Sequence, residues 1–151
     1  MRGLIKLAIL AAVAYFAYTE LLPRYRAHQE SRAAQEEADQ DHQQARHCVS
    51  LAESVCRDFA GEIRRFARPP VDAGMWSTFM IQTSSQLSRA DSACRCPHRA
   101  CTSAAAALLE QRRLLNQFNA MVRGTNTGIS NPAVSLERIN NLLARARSEA
   151  G

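Results

Sequence analysis

His47-Cys-Val-Ser-Leu-Ala-Glu-Ser-Val-Cys56-Arg-Asp-Phe-Ala-Gly-Glu-Ile-Arg-Arg-Phe66 decides the fold class. Its apolar side chains fall at Cys48, Ala52, Val55, Phe59, Ile63 and Phe66, a spacing of three or four that puts them on one stripe of a helix. Arg68-Pro69-Pro70 ends the helix, because proline supplies no amide donor and disfavours helical backbone before it.

Downstream, the same period returns twice. Trp76, Met80, Thr83, Leu87, Ala90 and Cys94 form a second stripe, which Pro97 interrupts or ends. A third runs Cys101, Ala105, Leu108, Leu115 and Val122, widened by Leu114, Phe118 and Met121, and stops at Gly124-Thr-Asn-Thr-Gly128. Ser130-Asn131-Pro132 sets a capping residue before a proline at the first helical position, opening a short helix with Leu136, Ile139, Leu142 and Leu143 inward. No stretch alternates as a strand would. The expected fold is all-α: a disulfide-stapled bundle of three to four helices over residues 47–151.

Residues 24–46, RYRAHQESRAAQEEADQDHQQAR, contain no glycine, proline or large aliphatic side chain. Alanine, glutamine, glutamate and arginine favour helix, and Arg26/Glu30 and Arg32/Glu36 are spaced as helical ion pairs. The segment reads as a polar helical stalk about 35 Å long. Before it, Met1-Arg2-Gly3-Leu4-Ile5-Lys6 is a basic lead into twelve apolar residues, Leu7 to Tyr18. Gly3 to Leu22 reaches the roughly 20 residues that a membrane crossing needs, with Lys6 and Glu20 snorkelling to the two interfaces. Residues 1–23 are therefore expected to be a transmembrane signal anchor, contacting lipid through residues 3–22. A cleaved signal peptide is the alternative, since Ala12-Val13-Ala14 has the small-x-small form of a cleavage site and would release a secreted chain.

Flanking charge does not orient the anchor: Arg2 and Lys6 are opposed by Arg24, Arg26 and Arg32. The five cysteines do, since a small cysteine-rich domain suits an oxidising compartment. This places the C-terminal domain in the periplasm, anchored in a bacterial inner membrane, or in the mitochondrial intermembrane space. Cys48 and Cys94 lie equally far in sequence from Val71, so a helical hairpin turning there brings them level. Cys48 with Cys94 or Cys96 is the favoured bridge and Cys56 with Cys101 the second, with other pairings open. One cysteine is left over, either buried or bonded to a second chain.

Cys94, Cys96, His98 and Cys101 also form an alternative metal set, for copper or zinc, within eight residues. C-x-C is tight for tetrahedral zinc and suits copper(I) better; His47 could add a ligand. The excess of 19 Lys+Arg over 14 Asp+Glu gives a charge of +5, but the arginines are dispersed without interleaved aromatics, so no nucleic-acid site is expected. No phosphate loop, nucleophile elbow or H-E-x-x-H is present, so no cofactor and no enzymatic activity are expected.

Asp91-Ser-Ala-Cys94-Arg-Cys96-Pro-His-Arg-Ala-Cys101-Thr-Ser-Ala is similar to a C-x-C-x4-C helical motif of proteobacterial envelope proteins, which implies compartment rather than activity. The layout of anchor, stalk and distal helices resembles the inner-membrane spanin subunits of phage lysis systems, from which five cysteines and a compact bundle depart. Twin C-x9-C proteins of the intermembrane space do not match, because seven residues separate Cys48 from Cys56. The expectation is a single-pass membrane-anchored structural or interaction protein, an accessory subunit of a membrane complex or an envelope tether. Its partners would be other membrane or envelope proteins, in a complex-bound or disulfide-linked oligomer.

Overall fold

The computed structural model describes residues 9–12, 14–16, 18–19, 22–66, 71–125 and 131–151. Among these residues every regular element is helical and no strand occurs. Four helices carry the architecture: α1 (Leu22–Ile63), α2 (Ala73–Ala93), α3 (Arg99–Val122) and α4 (Pro132–Ala150). A 3₁₀ turn, Arg64–Phe66, follows α1. Contacts divide the chain into Met1–Gln40 and Asp41–Gly151.

In the first unit, the side chains described from Arg24 to Gln40 are all exposed, which agrees with a helix that has nothing to bury. Half of the expected membrane segment, residues 3–8, 13, 17, 20 and 21, lies outside the described residues, as do residues 67–70 and 126–130. Among the described residues no helix is long and apolar enough to cross a membrane.

The second unit buries the predicted stripes with local shifts. On α1 burial begins at Ala45, one turn before Cys48, and adds Val49 to the stripe. On α2, Trp76, Thr83, Leu87 and Ala90 are buried, while Met80 is half-buried. On α3 the buried face takes Ala104 and Ala107 rather than Ala105, because helix neighbours on two sides favour the smallest side chains. On α4, Ile139 and Leu143 are joined by Ala146 and Ala150.

The ends of the helices follow from local chemistry. Asp72 caps α2, its carboxylate accepting from the Met75 amide at 2.7 Å, and Asn131 caps α4 by accepting from the Ala133 amide at 3.1 Å. Gly124, at φ 70°, takes the left-handed conformation that stops α3, the one position here where a side chain would be strained. The largest side chains meet where α1, α2 and α3 converge. Phe66 packs edge-on against Trp76 at a centroid distance of 5.1 Å, Phe79 sits 5.0 Å from Phe66, and Phe118 lies 6.3 Å from Trp76. The Trp76 indole N–H donates to Asn119 Oδ1 at 3.1 Å, which satisfies its polar edge.

The α3–α4 seam is more polar. Ser103 donates to Glu149 at 2.7 Å, and Glu110 meets Arg138 at 3.5 Å and Arg113 at 3.4 Å. Gln111 is fully buried on α3, and neither of its amide atoms has a hydrogen-bond partner among the described residues. An unpaired buried amide costs on the order of 1–3 kcal/mol. Gln111→Leu should therefore raise stability by about 1 kcal/mol in denaturant unfolding, whereas Phe118→Ala should lower it by about 3 kcal/mol. Loss of stability in the Leu variant would show that the amide has a partner in solution.

Candidate functional site

Two places in the bundle gather chemistry: the cysteine–histidine end and the groove between α2 and α3.

At the first, Cys48 of α1 is bonded to Cys94, the residue that caps α2, with Cα atoms 4.8 Å apart. This is one of the two pairings expected for Cys48. The second bridge differs from expectation: Cys96 joins Cys101 across the turn from α2 to α3, and Cys56 is free and buried. Helix geometry accounts for the correction. Eight residues carry Cys56 about 12 Å along α1 and about 80° around it from Cys48. That rotation turns Cys56 toward α4, where it lines a cleft with Glu53, Asn140, Leu143, Ala144 and Arg147. Cys101, in the first turn of α3, stays level with Cys96.

The metal set does not assemble in this oxidised arrangement. Cys94, Cys96 and Cys101 have spent their thiolates on sulfur bonds, and among the described residues no three His, Cys, Asp or Glu side chains converge as ligands. His98 has a different duty: it caps α3, its Nδ1 accepting from the Ala100 amide at 3.2 Å. That bond occupies the Nδ1 lone pair of the ring. His42 of α1 packs on the His98 ring with centroids 5.0 Å apart, and His47 stands exposed. Residue spacing carries no cue to the His42–His98 contact, which joins a residue of the polar segment to one of the cysteine cluster.

The groove lies along the first half of α2. Trp76, Met80 and Ile81 line it from α2, and Asn119, Val122 and Arg123 line it from α3, around a volume of about 620 Å³. Ile81, which lines it, is 69% exposed; Met75, 60% exposed, lies about 120° further round α2 and is not part of the lining. From Ala73 to Ser88 the helix carries no charged side chain, unlike α1, α3 and α4. Two of its exposed hydroxyls bond to their own helix: Thr78 to the Gly74 carbonyl at 3.1 Å and Ser88 to the Ser84 carbonyl at 2.9 Å.

The chain matches no protein-family model, no curated protein and no solved structure. Its chemistry is accordingly read from these residues alone.

Burial, and to a smaller extent the nearby Glu53 carboxylate, push the Cys56 thiol up to about 12 from its ordinary 9.0. Glu53 is itself held by Arg147, whose Nε donates to it at 2.8 Å. Glu149 moves the other way: hydrogen bonds from Ser103 and Arg145 hold it below the usual carboxylate range. For Cys56 the sign follows directly. Below pH 9 both folded and unfolded chains carry the thiol proton; between pH 9 and 12 only the folded chain keeps it, so this group's contribution to stability falls as pH rises through that window. At pH 8 the folded thiol should hold about a thousandfold less thiolate than an unfolded one, so iodoacetamide should label Cys56 only after denaturation. Rapid labelling of the native chain would show that the thiol is open to solvent.

Proposed function

We propose that this chain is a single-pass membrane-anchored structural or interaction protein, a subunit of a membrane complex or an envelope tether that recognises its partner through the uncharged face of α2. The observation that carries the reading is the charge-free, partly apolar surface from Ala73 to Ser88 with the Trp76–Met80–Val122 groove beside it. Protein interfaces are depleted of charge at their centres and enriched in aromatic side chains and methionine. A contiguous face of this kind on a chain of charge +5 favours docking over solvation.

Anchor and compartment belong to the same proposal. The basic lead and apolar run of residues 3–22 support insertion, and two disulfides support an oxidising far side, periplasm or intermembrane space. The partner is then another membrane or envelope protein that offers an uncharged surface.

Crosslinking in the native membrane followed by mass spectrometry tests this. Crosslinks should concentrate on α2, and Ile81→Lys together with Met75→Lys should reduce partner recovery at least about tenfold while leaving the helical circular dichroism unchanged, since each introduced charge must be desolvated on binding. A native protein that fractionates alone as a soluble monomer would overturn the reading, as would crosslinks spread evenly over the bundle.

A further inference from the structure

The two disulfides lie at one end of the bundle but differ in each property that governs thiol exchange. Cys48–Cys94 joins residues 46 apart in sequence, and its two residues are 0% and 6% exposed. Cys96–Cys101 joins residues five apart, and Cys96 is the only half-exposed residue among the four bonded cysteines, with Cys101 fully buried. Exchange requires a thiolate to reach a sulfur, so attack is confined to Cys96.

The leaving sulfur then belongs to Cys101, three residues past the His98 cap in the first turn of α3. Negative charge is favoured there by the helix N-terminus, and a stabilised leaving thiolate departs faster. From Ser92 to Leu109 the chain contains Arg95 and Arg99 and no carboxylate. The neighbouring carboxylates are engaged: Asp91 faces Arg95 at 3.9 Å, and Glu149 takes hydrogen bonds from Ser103 and Arg145. These positive influences oppose the desolvation of a buried sulfur.

Opening this bridge also sacrifices little of the fold. A loop closed over five residues restricts the unfolded chain far less than one closed over 46. The start of α3 keeps its His98 cap, and Cys48–Cys94 still holds α1 against α2.

We propose that Cys96–Cys101 is an exchange-active disulfide, opened by an external dithiol that attacks at Cys96, while Cys48–Cys94 is a structural one. In the first step the dithiol's thiolate bonds to Cys96 Sγ, the Cys96–Cys101 bond breaks, and its electron pair leaves on Cys101 Sγ, which takes up a proton. The second thiolate of the dithiol then attacks its own sulfur in the mixed disulfide and releases Cys96 as a thiolate, which is protonated in turn. Two electrons and two protons pass from the dithiol, which becomes a disulfide, to Cys96 and Cys101. Cys56 takes no part, being buried on the α4 side of α1. The proposal does not depend on the docking face of α2, and its test leaves that face untouched.

The full chain is equilibrated with graded dithiothreitol, quenched with iodoacetamide and analysed by peptide mass. Cys96 and Cys101 should become alkylated at about tenfold lower dithiol than Cys48 and Cys94. Simultaneous opening of the two bridges, or the reverse order, would overturn the assignment. The side of attack is read from two variants treated with oxidised glutathione: Cys101→Ser should accumulate the adduct on Cys96, and Cys96→Ser should show none on Cys101. Adducts on both, or on neither, would remove Cys96 as the exchanging sulfur. The titration of the unsubstituted chain stands whether or not a variant folds.

Discussion

With their Cα atoms 4.8 Å apart, Cys48 and Cys94 oblige α1 and α2 to lie side by side at the end remote from their turn. At the turn end, Phe66, Trp76 and Phe79 fill the space between the same two helices. A hairpin fastened at both ends is restricted in register, and α3, which packs most closely on α4 and also on α2, joins α4 to it. The bridge closes a loop long enough to remove about 4 kcal/mol of conformational freedom from the unfolded chain. That is a large share of what a domain of this size ordinarily has to spare.

The need for such fastening follows from what the core is made of. Ala45, Ala52, Ala90, Ala100, Ala104, Ala107, Ala146 and Ala150 are buried, and each removes little apolar area from water. Small side chains bring helices close but supply modest transfer energy. The aromatic cluster of Phe59, Phe66, Trp76, Phe79 and Phe118 concentrates the larger contribution at α1, α2 and α3. The seam with α4 adds Ile139 and Leu143 to its alanine contacts, together with ties such as Glu53–Arg147 and Ser103–Glu149. Gln111, and Gln117 through its Oε1, are buried without hydrogen-bond partners among the described residues, local exceptions on α3.

Much of this was legible in the sequence, because helical periodicity depends only on neighbours three and four residues apart. The four bundle helices and the caps at Asn131 and Gly124 follow from that spacing and from backbone chemistry. Equal distances to a turn narrowed the partner of Cys48 to Cys94 or Cys96, and the structure has Cys94. Pairing Cys56 with Cys101 required a fact that spacing does not carry, namely which of two neighbouring helices each side of α1 faces. The role of His98 was hidden for a similar reason: beside three cysteines it reads as a ligand, and only the start of α3 at Arg99 makes it a cap. The uncharged run from Ala73 to Ser88 stood in plain view, yet its signal is the absence of a residue type, which acquires meaning only when the helix is seen to be half exposed.

That exposed half of α2 has a further property relevant to docking. Burying hydroxyl groups at an interface normally costs their hydrogen bonds to water, and the cost is recovered only where a partner supplies matching groups. Here Thr78, Ser88 and Ser92 already donate to carbonyls one turn back on their own helix, at 3.1, 2.9 and 3.0 Å. Their donors stay satisfied whether water or protein covers the face, so desolvation costs less than the count of polar residues suggests. Charged side chains have no equivalent way to satisfy themselves within a helix, and on α2 the first of them, Arg89, appears only in its last turns. These three internally bonded hydroxyls lower part of the cost of burying a face on which Met75 and Ile81 are also exposed. Burial of Ile81, Met75 and the Trp76 groove then supplies the favourable term, and the fastened α1–α2 hairpin keeps these groups in place before a partner arrives, so that little ordering is needed on binding.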